Sequence, residues 1–156
     1  MNNYEVLSGD LLFVRSSLKQ DGIAVVAIAD KICEPVVYEC HLIRARPDSQ
    51  VLNSRFGSYV LNSAVYRSTM IANAKITTMT TIDQEAILST NLPIPLIAEQ
   101  TIIASFLDSE TTKFDTLTTE AQHAIDLLQE RRTALISAAV TGQIDVRGII
   151  KELSFQ

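Results

Sequence analysis

The chain is 156 residues long, 47% hydrophobic and 20% charged, enough apolar material for one ordinary folded domain and too much for a disordered one. Its 13 Lys and Arg against 18 Asp and Glu leave a net charge of −5, which excludes a uniformly basic nucleic-acid coat. Two cysteines, Cys33 and Cys40, are too few for a disulfide framework, and neither a signal peptide nor a membrane-length apolar run is present, so a soluble cytoplasmic protein is expected.

In chain order, Ser8-Gly9-Asp10 reads as a turn feeding a strand over residues 11–14 (LLFV), followed by a polar loop over 15–22 (RSSLKQDG). Residues 23–29 (IAVVAIA) form a continuous apolar run of strand length, as in a strand covered on both faces. Another strand is predicted from Val36 to Arg46; its period of two places Leu42, Arg44 and Arg46 on one face and His41, Ile43 and Ala45 on the other. From Asn53, the apolar positions Phe56, Tyr59, Val60 and Ala64 follow helical spacing, and residues 65–72 continue that helix or form a second. The β-branched run 76–82 (ITTMTTI) predicts a strand. These elements make a mixed α+β domain.

Leu92-Pro93-Ile94-Pro95 marks a boundary, because each proline lacks an amide donor and fixes its own φ. Beyond it the pattern is helical without Gly or Pro until Gly142 supplies a stop. Residues 96–141 would span about 69 Å as a straight helix, too long to hide an apolar stripe against a domain of about 90 residues. The stripe has heptad character. Leu107, Phe114, Ala121, Leu128 and Leu135 recur every seven residues, and Ile103, Glu110, Leu117, Ala124, Arg131 and Ala138 form the complementary set. Either the helix packs along its own domain or, as its length favours, it pairs with a second helix from another copy or another chain. The pairing positions are then Ile103, Leu107, Phe114, Leu117, Ala121, Leu128 and Leu135.

Charge is divided unevenly. Up to Thr81 there are 8 basic and 7 acidic residues, a net of +1; the remainder holds 5 and 11, a net of −6. The first part can present a basic face to phosphates and the second cannot easily do so. The inventory for catalysis is thin: no phosphate-cradling glycine loop, nucleophile elbow or paired-histidine zinc helix occurs. Cys33, Cys40 and His41 make a poor zinc set, His123 and the carboxylates Asp108, Glu110 and Asp115 read as a solvated helix face, and no metal, cofactor or catalytic residue is expected. The candidates for nucleic acid are Arg15, Ser16, Ser17 and Lys19 in the polar loop, Arg44 and Arg46 on one strand face, and Lys75 with its threonines; Arg and Lys hold phosphates or read guanine, and hydroxyls bond to either. Arg44 and Arg46 can equally pair with Glu39 and Asp48.

Two stretches together resemble the specificity subunit of type I restriction-modification enzymes. One is Leu92-Pro93-Ile94-Pro95 with Glu99-Gln100, Ile103 and Phe106-Leu107-Asp108, leading into residues 128–145 (LQERRTALISAAVTGQID); the other is residues 9–17 (GDLLFVRSS). The resemblance implies a non-catalytic chain that reads a DNA half-site through residues 1–92, a target-recognition domain that is N-terminally incomplete, and pairs through a long spacer helix over residues 93–145, with a tail over 146–156. Its implied partners are double-stranded DNA, methyltransferase (modification) subunits that bind S-adenosylmethionine and, through them, restriction subunits. A full family member carries two recognition domains and two helices, so this chain is expected to pair as a homodimer or with another specificity chain. Two readings follow: a half-size subunit reading a palindrome, or a truncated interaction module that modulates assembly without reading DNA.

Overall fold

The computed structural model describes residues 4–76 and 78–145. Thr77 and the tail predicted over 146–156 lie outside the described residues. The chain divides into two compact units, Met1–Leu107 and Asp108–Gln156, and mixes strands and helices as expected.

The first unit is built on a three-stranded antiparallel sheet. Its central strand β2 (Leu11–Val14) pairs with β4 (Val26–Ile28) on one side and β6 (Leu42–Ala45) on the other. The register sets Phe13 opposite Val26 and Ile43, and Leu12 opposite Arg44. Strand alternation then buries Leu11 and Phe13 in the core, while Arg44 falls on the other face. A two-stranded ribbon, β1 (Glu5–Val6) with β5 (Val36–Val37), and a three-stranded sheet of β3 (Ser16–Ser17), β8 (Thr80–Thr81) and β7 (Lys75–Ile76) complete the β structure among the described residues. Arg15 is the crossing point between the two larger sheets. Its amide donates to the His41 carbonyl at 2.8 Å and its carbonyl accepts from the Ile82 amide at 2.9 Å.

Several predicted strands are shorter than expected. The apolar run 23–29 narrows to β4, because Ala24 takes a left-handed conformation (φ 57°) and its amide turns to the Val14 carbonyl. Such a backbone costs a non-glycine residue roughly 1–2 kcal/mol, and the complete burial of Ile23 and Ala24 holds it there. The strand predicted from 36 to 46 is two strands, β5 and β6, separated by a turn closed by the Leu42 amide on the Glu39 carbonyl, so Arg46 stands just beyond the second. The run 76–82 is a hairpin, with Lys75 opposite Thr81 and Ile76 opposite Thr80. A β-branched run reports preference for extended backbone and cannot tell one strand from two folded on each other.

Two helices cover the core. Helix α1 (Ser54–Asn62) starts at Asn53, whose side-chain oxygen accepts from the amides of Arg55 and Phe56. It buries Phe56, Gly57, Ser58 and Leu61 rather than the predicted Tyr59, Val60 and Ala64. Asn62 completes the free edge of β4, its amide group both accepting from the Val26 N–H (3.0 Å) and donating to the Val26 carbonyl (2.7 Å). The chain straightens at Ser63 (ψ 151°), making α2 (Ala64–Ala72) a second helix, and a short α3 (Gln84–Leu88) is capped by Asp83. Leu11, Phe13, Ile23, Val26, Leu61, Met70 and Ile82 form the centre of the core.

Helix α4 (Ile97–Val140) runs 44 residues, about 66 Å of helix axis. Its first turns belong to the first unit, where Gln100 is fully buried. The Gln100 oxygen accepts from the Asn53 amide (2.8 Å), and its nitrogen donates to the carbonyls of Val51 (3.0 Å) and Pro95 (2.8 Å). Every hydrogen-bonding group of that amide but one lone pair is used, so the start of α4 is fixed to the segment leading into α1. From residue 105 to 140 no residue of α4 is buried. Gly142 (φ 75°) ends the helical segment, and the following amides of Gln143 and Ile144 return to the Ala138 carbonyl.

Candidate nucleic-acid interface

The segment 9–17 (GDLLFVRSS) does more structural work than its polar residues suggest. Gly9 adopts φ 90°, which a side chain would strain, and so permits the tight turn over residues 7–10. That turn delivers Asp10 into the interior at 1% exposure. Asp10 accepts from the Leu7 amide at 2.7 Å and takes both arms of the Arg46 guanidinium, Nε to Oδ1 at 2.7 Å and Nη2 to Oδ2 at 2.8 Å. Burial alone would push the Asp10 carboxyl upward; the Arg46 hydrogen bonds, the Leu7 amide and the charges of Arg46 and Arg44 outweigh it and hold the group below its usual range. Arg46 in turn is raised by its hydrogen bond to Asp10. Arg46 is therefore the partner of a buried acid, and its partner is neither Glu39 nor Asp48.

Arg44 shares its face with Arg46, as strand period requires, and both guanidinium groups donate to the Glu5 carbonyl. Arg44 also stacks on Tyr38, its guanidinium carbon 5.5 Å from the ring centroid. Lys75 binds Asp83 at 2.9 Å, an exposed pair in which their hydrogen bond raises the lysine and lowers the acid. Ser16 Oγ lies 3.4 Å from Thr81 Oγ1 across the β3–β8 ladder, and Ser17 Oγ accepts from the Lys19 amide at 3.2 Å. A Cβ at Gly22 would stand 2.3 Å from Ser17 Oγ, so a side chain there would displace that hydroxyl. Among the described residues, the side chains of Arg15 and Lys19 are exposed and make no hydrogen bond or ion pair.

A cleft of about 630 Å³ opens beside this surface, lined by Tyr4, Arg15, Tyr38, Glu39, Arg44 and Glu85 among others. It gathers two of the predicted residues, Arg15 and Arg44, with two tyrosines that the sequence reading did not single out. Nothing local in the sequence flags Tyr4 and Tyr38, which are 34 positions apart and meet only because β1 and β5 pair. On the rim, Glu39, Cys40 and His41 bring one donor atom each within 4.8 Å of one another on an exposed turn, without the Cys33 that sequence proximity had grouped with them. All three side chains are exposed, and among the described residues none hydrogen-bonds to a buried group that would orient it as a metal ligand.

The predicted pairing positions all lie on α4. Phe114, Leu117, Leu128 and Leu135 are 65%, 59%, 64% and 49% exposed, Ala121 is exposed, and Ile103 and Leu107 are half-buried. The helix carries its stripe on open display, with Ile125 and Ile136 beside it at 47% and 54% exposure. Among the described residues no helix is long and apolar enough to cross a membrane.

Comparison with known proteins decides the family. Residues 2–126 match the type I restriction modification DNA specificity domain, well over half of the chain. The chain belongs to this family. It is also 29% identical over 111 residues to the type I restriction enzyme EcoBI specificity subunit of Escherichia coli, an alignment covering 71% of this chain and 23% of that protein. The chain thus spans about a quarter of the length of this curated relative. The family match takes in the sheets, helices α1 to α3 and the first 30 residues of α4.

Proposed function

We propose that this chain is a DNA specificity subunit, or one half of one, of a type I restriction-modification system. In this reading residues 1–92 read one DNA half-site and residues 93–145 form a spacer helix. The chain itself is not catalytic; it docks modification subunits and, through them, restriction subunits. It takes no cofactor of its own, and it acts in the cytoplasm on double-stranded DNA. The observation that carries the reading is the conjunction of the family match with an apolar heptad stripe left exposed along α4. A stripe of this length reaches its free-energy minimum only against another helix, from a second copy or another specificity chain. Two copies would be related by a two-fold axis and read a palindrome.

Within the DNA-facing region, we assign Arg15 and Lys19 to phosphate contacts and the Ser16 and Ser17 hydroxyls to the loop that presents them. Arg46 and Lys75, tied to Asp10 and Asp83, hold the scaffold of that surface, and Arg44 stands between the two roles. The ion pairing of Arg46 and Lys75 also supports the second reading, an interaction module that pairs with specificity or modification subunits without reading DNA.

Co-expression with a type I modification subunit in cells lacking other methylases, followed by sequencing for modified bases, tests the proposal. A new palindromic methylated motif is the expected result. A stable co-purifying complex with no motif would establish the interaction module instead. In direct DNA binding, log affinity should fall by roughly 0.9 per log unit of salt for each phosphate contact, and Lys19→Ala should reduce that slope by about one contact.

A further inference from the structure

The cleft beside Arg15 is unusual for a DNA-facing surface in its charge balance. Arg15 and Arg44 are matched by Glu39 and Glu85, and the remaining acid, Asp83, is neutralised by Lys75. A surface that bound only phosphates would gain nothing from two open carboxylates. Its walls are also aromatic. The Tyr38 amide donates to the Tyr4 carbonyl at 3.2 Å, extending the β1–β5 ribbon, and the two rings meet at 5.7 Å with a 54° tilt. The β5 side of the ribbon is exposed, with Val37 at 59% and the flanking Tyr4 at 60%, while Val6 of β1 is buried at 2% and anchors the ribbon to the core. A two-stranded ribbon of this kind fits the major groove of duplex DNA, where a carboxylate accepts from the cytosine amino group and a guanidinium donates to guanine.

We propose that Tyr38, Arg44 and Glu39 form the base-reading part of this chain, taking a guanine–cytosine pair in the major groove, and are distinct from the phosphate contacts at Arg15 and Lys19. The inference rests on the DNA-reading function proposed above. Arg44 is held from two sides, by the Tyr38 ring and by the Glu5 carbonyl, which orients its remaining donors without consuming them. Glu39 is exposed, and apart from a 3.8 Å approach by the Cys40 thiol its carboxylate meets no donor among the described residues. Beside a phosphate, such a carboxylate is repulsive; beside a cytosine amino group it is an acceptor. Glu39 therefore contributes discrimination at the expense of general affinity.

The test is selection of bound duplexes from a randomised pool by the whole chain, followed by titration of the enriched motif and a scrambled duplex. Glu39→Gln and Tyr38→Ala should each lower the motif-to-scrambled ratio by about tenfold or more and change the preferred base at one position. Scrambled-duplex affinity should rise in Glu39→Gln, which removes a repulsive charge, and stay within about twofold in Tyr38→Ala. Tyr38→Phe, which keeps the ring under Arg44, should retain the motif. Lys19→Ala should weaken motif and scrambled duplex alike. Wild-type selectivity retained in Glu39→Gln and Tyr38→Ala, with circular dichroism showing both folded, overturns the base-reading assignment alone. A wild-type chain that binds no duplex overturns it together with the DNA-reading function.

Discussion

Residues 4–107 and residues 108–145 solve the folding problem in opposite ways. The first segment closes on itself: Phe13, Leu11, Ile23, Met70 and Ile82 are at most 2% exposed, and two of its buried polar side chains are engaged, Asp10 with Arg46 and Gln100 with three backbone groups. The second segment is helical without a buried side chain. Its stability is local. The hydroxyls of Thr112, Thr116, Thr118, Thr119 and Thr133 return to carbonyls four residues back, and Lys113 bonds to Glu110 at 2.6 Å. Such contacts contribute a few tenths of a kcal/mol each, and back-bonded threonines add little. Most helical stability in proteins comes from packing an apolar face, and it is this missing contribution that the proposed pairing with a second helix would supply.

Substitutions can break or sharpen this contrast. The largest stability effect is expected from Phe13→Ala, at about 3–5 kcal/mol, read as a lowered denaturation midpoint of the first unit with little change in the helical signal of residues 108–140. Gln100→Ala should follow at about 2–3 kcal/mol, because it leaves the Asn53 amide and the Val51 and Pro95 carbonyls without partners; Gln100→Glu should not rescue it, since a carboxylate cannot donate to the two carbonyls. Leu117→Glu or Leu128→Glu should leave the midpoint of the first unit unchanged yet weaken self-association or pairing at least tenfold in sedimentation. Unchanged association in both would show that the seam lies elsewhere on α4.

The smallest effect concerns acid. The folded carboxyl of Asp10 titrates below its unfolded value of 3.8, so its contribution to stability is fully present above that pH and is lost as pH falls through the lower folded value. Stability of the first unit should therefore decline on acidification below about pH 4, and Asp10→Asn should flatten that part of the profile while lowering stability at pH 7. A pH profile identical in the variant would remove Asp10 from the account. Asp83 shifts in the same direction, but its pairing with Lys75 is exposed and screened, so Asp83→Asn should change the profile less.

Much of the fold could be read from local pattern. The central strand β2, the capped start of α1 at Asn53, the proline boundary and the long helix with its glycine stop each depend on residues adjacent in sequence. Strand ends were less legible. Ala24 departs from extended backbone because tertiary burial compels it, and the turn over 39–42 interrupts a run that alternation alone would continue. The candidate site was the least legible. Counting cations selects Arg44, Arg46 and Lys75 together with Arg15 and Lys19, but only the structure distinguishes a guanidinium anchored on a buried acid from one aimed at solvent.

The sequence by itself determined the α+β class, the length and apolar stripe of the final helix and the family resemblance, because helix periodicity, proline and glycine act over a few residues. Tertiary structure alone decided which charges are available. Arg46 meets Asp10 across 36 positions, Gln100 meets Asn53 across 47, and Tyr4 meets Tyr38 through a ribbon whose strands are far apart in the chain. A charge is freed or consumed by what packs beside it, and the strand pairing that brings those neighbours together is written across the whole chain rather than at any one place in it.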